Sequence, residues 1–130
     1  MKRKKLIVCV IMIVAFIGLF TGCLSRGLSE GANVILYGID VSNVPDGSYT
    51  GVYEFRRWSN KLVVHVNDKK ITEIDIARNI MGPNVKKISG EIFNRVIEAQ
   101  NTTVDVVSGA TVTSKAYLKA IENAFTSILQ

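Results

Sequence analysis

The start of the chain constrains it most. Lys2, Arg3, Lys4 and Lys5 precede a run from Leu6 to Phe20 that is almost unbroken apolar sequence, and Thr21-Gly22-Cys23 follows. A helix that spans hydrocarbon needs about 20 apolar residues, and the apolar part of a secretory signal is about 7–15 long. The run has the length of a signal, and its basic flank stays on the cytoplasmic side while the remainder is exported. With some thirty residues assigned to targeting, about 100 remain, enough for one hydrophobic core and not for two.

The same segment accounts for the charge. The formal charge is +5, from 16 basic and 11 acidic residues. Four of the bases precede Leu6 and every acid follows Cys23, so the exported part is close to neutral. A basic footprint for nucleic acid is absent from the part that folds, and no nucleic-acid partner is expected. The two cysteines, Cys9 and Cys23, also lie in this segment. The folded part therefore has no disulfide framework or cysteine metal site, which suits an oxidising compartment.

Phe20-Thr21-Gly22-Cys23 resembles the lipobox of bacterial lipoproteins, with Phe20 standing where Leu is usual. The resemblance implies cleavage before Cys23 and lipid attachment there. Several acyl chains hold a protein on a membrane at about 0.8 kcal/mol per buried methylene. The alternative is an uncleaved signal anchor. Both place the domain at the outer face of a bacterial cytoplasmic membrane. The expected organisation is a signal peptide over 1–22, a lipid-anchored tether with a possible edge strand at Val34–Tyr37 over 23–43, and one domain over 44–130.

Within that domain Asp46-Gly47 marks a turn, and Tyr49 to Arg57 alternates as a half-buried strand. Lys61 to Val66 is β-branched, and Asn67-Asp68-Lys69-Lys70 is a polar turn. Ile71 to Ala77 alternates again, with Ile71 out of phase with Ile74 and Ile76. Three strands on short turns predict an antiparallel meander. Met81-Gly82-Pro83-Asn84 breaks the pattern. Val85, Ile88, Ile92, Val96 and Ala99 then recur at helical spacing, with Gly90 inside the run. Thr102 to Val107 reads as a short extended segment, and a second amphipathic stripe runs from about Thr113 through Tyr117, Ile121, Ala124, Phe125 and Ile128. The fold class is α+β, an antiparallel sheet with two amphipathic helices packed on it.

The chemistry is concentrated between Asp105 and Ser114. Ser108-Gly109-Ala110-Thr111 is a small-residue turn that enters a helix. Gly109 permits a positive φ, and Thr113 or Ser114 can cap the first turn. A helix start with free amides suits phosphate. From spacing alone the segment reads first as a plain turn with an N-cap, and it is no Walker A loop, since Gly-x-x-x-x-Gly-Lys-Ser/Thr is missing.

Ser108-Gly109-Ala110-Thr111, with Asp105 before it, is similar to the flavinylation motif of FMN-binding domains. These occur in the C and G subunits of Na⁺-pumping NADH:quinone reductase, in Rnf complexes and in small exported lipoproteins. Pro45-Asp46-Gly47-Ser48-Tyr49-Thr50-Gly51 resembles the family's opening strand, and Asn67 to Ile74 its polar turn and following strand. The ordered resemblance spans about Val44 to Ile128. It implies FMN joined through its phosphate to the Thr111 hydroxyl, with Ser108, Gly109, Ala110, Thr113 and Ser114 around it. The acceptor hydroxyl needs activation, which the family obtains from a Mg²⁺-dependent FAD:protein FMN transferase, with Asp105 part of what that enzyme recognises. The chain departs from many relatives after the third strand. Ala77-Arg78-Asn79-Ile80-Met81 stands where they carry a His or polar cluster, and core packing is expected of Met81 and Tyr53 rather than contact with the flavin ring.

The implied role is an electron carrier with an unidentified donor and acceptor, rather than a substrate-specific enzyme. The alternatives are a lipoprotein that holds FMN reversibly, for capture or sensing, and a relay subunit of a larger membrane reductase. His65, the only histidine, reads as a solvent-facing strand residue, because a metal or base role needs partners that the linear sequence does not show. Arg56-Arg57-Trp58 reads as a solvated hairpin tip.

Overall fold

A computed structural model describes residues 1–82 and 85–129, with the side chains of 23 and 24 outside the description. The lipidation expected at Cys23 and the break expected at Pro83-Asn84 therefore fall outside the described residues. The chain divides into two compact units, Met1–Glu30 and Gly31–Gln130.

The first unit is helical. Helix α1 runs Lys2–Ala32, and it is the one helix among the described residues long and apolar enough to cross a membrane. It extends through the first half of the expected tether, to Ala32. No proline interrupts residues 24–32, and extending a helix is far easier than starting one.

The second unit is a three-stranded antiparallel sheet in the order β1-β2-β3. Strand β1 is Gly47–Tyr53, β2 is Asn60–Asn67 and β3 is Lys70–Asn79. A short 3-10 turn, Arg56–Trp58, joins β1 to β2, and Trp58 is buried rather than placed at a solvated tip. The β2–β3 hairpin turns on Asp68 and Lys69, both at positive φ (52° and 59°). This is the twist-matched turn that two-residue hairpins favour.

The phase break along β3 is a bulge. His65 pairs with Glu73 and Val66 with Ile71, which leaves Thr72 as an extra residue. The extra residue returns Ile71 to the inner face, where it is buried with Ile74. A second irregularity leaves Ala77 unpaired, between the pairs Lys61–Arg78 and Leu62–Ile76.

Helix α2 spans Val85–Ala99, as its periodicity predicts, and α3 spans Thr111–Phe125. Helix α3 lies on β1 and β2, and α2 packs on β3 and α3. The core joins Leu62, Val64, Val66 and Ile71 from the sheet to Ile92 and Val96 from α2 and to Tyr117, Leu118, Ile121 and Phe125 from α3. Tyr117 stands edge-on to Phe93, with ring centroids 5.5 Å apart, and its hydroxyl accepts from Asn79 Nδ2 (3.1 Å). Burial pushes its phenol up to about 12. The α+β reading is thus observed.

Two expected extended elements do not form strands. Residues 34–40 have no ladder partner. The amides of Tyr37 and Gly38 donate instead to Glu122 Oε1, each at 2.9 Å. That buried carboxylate also accepts from Thr102 Oγ1 (2.8 Å) and pairs with Lys119 Nζ (2.9 Å). Residues 103–107 are likewise outside the sheet, and two of their carbonyls, those of Asp105 and Val106, accept from an arginine described below.

Candidate functional site

The segment from Asp105 to Ser114 is held at both ends and open in the middle. On the approach, Arg95 Nη1 of α2 donates to the carbonyls of Asp105 (2.7 Å) and Val106 (3.1 Å). Glu91, one turn earlier, pairs with Arg95 Nη2. These groups line an open groove of about 1010 Å³ that reaches from Glu98 and Ala99 to Ser108. The Asp105 side chain is exposed on that groove, with no hydrogen-bonded partner among the described residues.

On the far side, the buried Ser114 Oγ accepts from the Val107 amide (3.1 Å), and the Ala110 amide closes a turn onto the Val107 carbonyl (3.0 Å). Gly109 takes φ +77°, and no atom lies within 4 Å of where a Cβ would stand. Its glycine requirement is therefore conformational rather than steric.

Helix α3 begins two residues earlier than its apolar stripe suggests, at Thr111. Its N-cap is Ala110, which offers no side-chain acceptor. Neither expected cap operates. Ser114 faces back toward Val107, and Thr113 sits half-buried inside the first turn. The first intrahelical bond is Ser114 N–H to the Ala110 carbonyl (2.8 Å). The amides of Thr111, Val112 and Thr113 thus have no acceptor among the described residues. Thr111 is exposed, as are Ser108 and Gly109. An exposed hydroxyl stands where three unfilled amides and the positive end of a helix dipole converge.

Residues from 59 to 126 match the family model of the FMN-binding domain. The chain belongs to the FMN-binding domain family. The matched span covers β2, β3, α2, the Ser108–Thr111 turn and α3, while β1 precedes it. No curated protein matches the chain. The cofactor is FMN, and the chemistry is of the flavin-binding, electron-transfer class.

The phosphate end of FMN fits what the turn offers. The free amides of Thr111 to Thr113 can accept an anion, and the space beside Gly109 is open. FMN supplies reversible redox chemistry at its ring when bound. Arg95 and Ser114 fix the path of the segment, and its free amides would seat the phosphate. Arg95 was missed as a site residue in the sequence, although the Glu91–Arg95 spacing of four is legible there. Tyr53 is half-buried and Met81 buried, and both pack as part of the domain's apolar interior or its edge.

Proposed function

We propose that the chain is an extracytoplasmic electron carrier with FMN bound covalently through a phosphoester to Thr111. The observation that carries this reading is the exposed Thr111 hydroxyl at an uncapped start of α3, within a motif of the matched family. A transferase passes the FMN half of FAD to that hydroxyl. The Thr111 Oγ1–P bond forms, the pyrophosphate bond breaks, AMP leaves, and the hydroxyl proton goes to a base of the transferase. Asp105, exposed three residues before Ser108, is offered to that enzyme. The apolar N-terminal segment holds the domain at the outer face of the cytoplasmic membrane, through lipid on Cys23 or as an uncleaved anchor. The domain itself covers 44–130, with 34–43 bound to it as a strap.

The test is production of the full chain with an FAD:protein FMN transferase, followed by in-gel flavin fluorescence after denaturation. The wild-type band fluoresces and Thr111→Ala does not. A dark wild-type band with FMN retained on the native protein would support reversible binding, which the same free amides also favour. Fluorescence that persists in Thr111→Ala would refute the assigned bond.

A further inference from the structure

The face of the sheet that carries no helix holds a second group of chemistry-bearing side chains. On β2, Val64 and Val66 point into the core, which sends His65 to the open side. His65 pairs across the strands with Ser48 on β1 and with Glu73 on β3. Asp75 lies two residues beyond Glu73 on the same face. The Thr72 bulge sits beside this row and sets its register, with Thr72 Oγ1 bonded to the His65 carbonyl (3.3 Å). Without that extra residue, Glu73 would not face His65 while Ile71 stays buried.

We propose that His65, Glu73 and Asp75 form a site for a first-row divalent metal ion of the zinc type, separate from the flavin segment. One ligand atom from each lies within 4.8 Å of the others. His65 Nε2 and Asp75 Oδ2 are 3.1 Å apart. Two ligands at about 2.0–2.2 Å from one ion, at an angle between octahedral and tetrahedral, stand about 2.8–3.6 Å from each other, and this pair lies within that spacing. His65 Nδ1 meets Ser48 Oγ at 2.8 Å. With the proton on Nδ1 that bond becomes a donation to Ser48, which turns the Nε2 lone pair toward the carboxylates as metal-binding histidines require.

Charge favours the same conclusion. Glu73 has no hydrogen-bond or ion-pair partner among the described residues, although a second carboxylate lies beside it. A divalent ion neutralises both acids and joins β2 to β3. The imidazole selects zinc-like ions over magnesium or calcium, which prefer oxygen donors throughout. The Ser48–His65–Asp75 chain of hydrogen bonds has the composition of a hydrolytic triad. It lies on the open face of a sheet with no helix N-terminus beside it, so ion binding is the chemistry it supports.

Zn²⁺ alone is the probe, titrated calorimetrically into the full chain in detergent, purified without a histidine tag. One saturable ion per chain is expected. His65→Gln should abolish binding, and Asp75→Asn and Glu73→Gln should each weaken it. Ser48→Ala should weaken it by about tenfold while keeping the stoichiometry, as loss of an orienting partner does. Asp68→Asn, at the hairpin turn, should bind as wild type. Zinc should also raise the unfolding midpoint read from Trp58 in wild type and leave it unmoved in His65→Gln. Repeating the titration in Thr111→Ala separates this site from flavin attachment. No saturable binding, or equal binding in His65→Gln, would overturn the proposal. Tryptophan fluorescence at neutral pH confirms that each variant is folded.

Discussion

Replacing Gly51 by Ala should strongly destabilise the domain. Gly51 lies in the middle of β1, under α3. A Cβ built there stands 1.8 Å from the Ala120 carbonyl oxygen and 2.9 Å from both the Ala120 carbonyl carbon and the Ala124 amide nitrogen. All three are backbone atoms of α3, so no rotamer change relieves the overlap. A normal carbon–oxygen contact is about 3.3 Å or more, so helix and strand must separate by roughly 1.5 Å. A gap of about 0.5–1 Å already forfeits a quarter to a half of a contact's attraction. The face of α3 that would lose contact carries Tyr117, Ile121, Ala124 and Phe125, all buried. The cost belongs at the upper end of over-packing, about 3 kcal/mol, which lowers the midpoint of a domain of this size by roughly 12–24 °C. Trp58 is the only tryptophan and is buried in the same unit, so its fluorescence reports unfolding of this domain and not of α1. Gly90→Ala is the internal control. Gly90 is exposed in the interior of α2 with nothing within 4 Å of its Cβ position, and the same substitution there should stabilise by about 1 kcal/mol. A Gly51→Ala midpoint within about 2 °C of wild type would refute the claim that α3 rests backbone to backbone on β1.

Lys69→Gly should stabilise the β2–β3 hairpin by about 0.5–1 kcal/mol, because it relieves a left-handed non-glycine residue and makes an Asp-Gly turn. Urea unfolding followed at Trp58 measures this, and a loss of stability would count against the turn. Alkaline stability should report Tyr117. Its folded value of about 12 exceeds that of an unfolded tyrosine near 10. Its contribution is therefore complete below about pH 10 and is lost as pH rises toward 12. Tyr117→Phe should flatten that part of the stability–pH curve relative to wild type, and parallel curves would show that other groups dominate.

The regular parts of this fold are legible in the sequence because each follows one local rule. The bounds of α2 come from the spacing of Val85, Ile88, Ile92, Val96 and Ala99, and the hairpins from polar pairs between alternating runs. The places that resist reading are those where a distant partner decides. Val34–Tyr37 has strand-like residues, yet it has no ladder partner, and Glu122, 84 residues or more away in sequence, takes the amides of Tyr37 and Gly38. Thr102–Val107 is mostly β-branched, but Arg95 takes the Asp105 and Val106 carbonyls. The phase of β3 is visible in the sequence, and only pairing with β2 shows that the Ile71 discrepancy is a bulge. The partners of His65 depend on the same register.

The site itself divides in the same way. Periodicity and capping preference place a helix start near Thr113, with Thr113 or Ser114 as the cap. Both rules weigh the helix as an isolated object, where an uncapped first turn is unfavourable. Here Ser114 is spent on the Val107 amide, and Ala110 stands at the cap position with no oxygen to offer. A fold with serine and threonine on both sides of this position leaves it empty, while anchoring the chain before it through Arg95 and after it through Ser114. The unmet amides are a local inconsistency that a bound phosphate would remove. Exposure, not the amides, sets Thr111 apart from Thr113, which lies half-buried in the same turn.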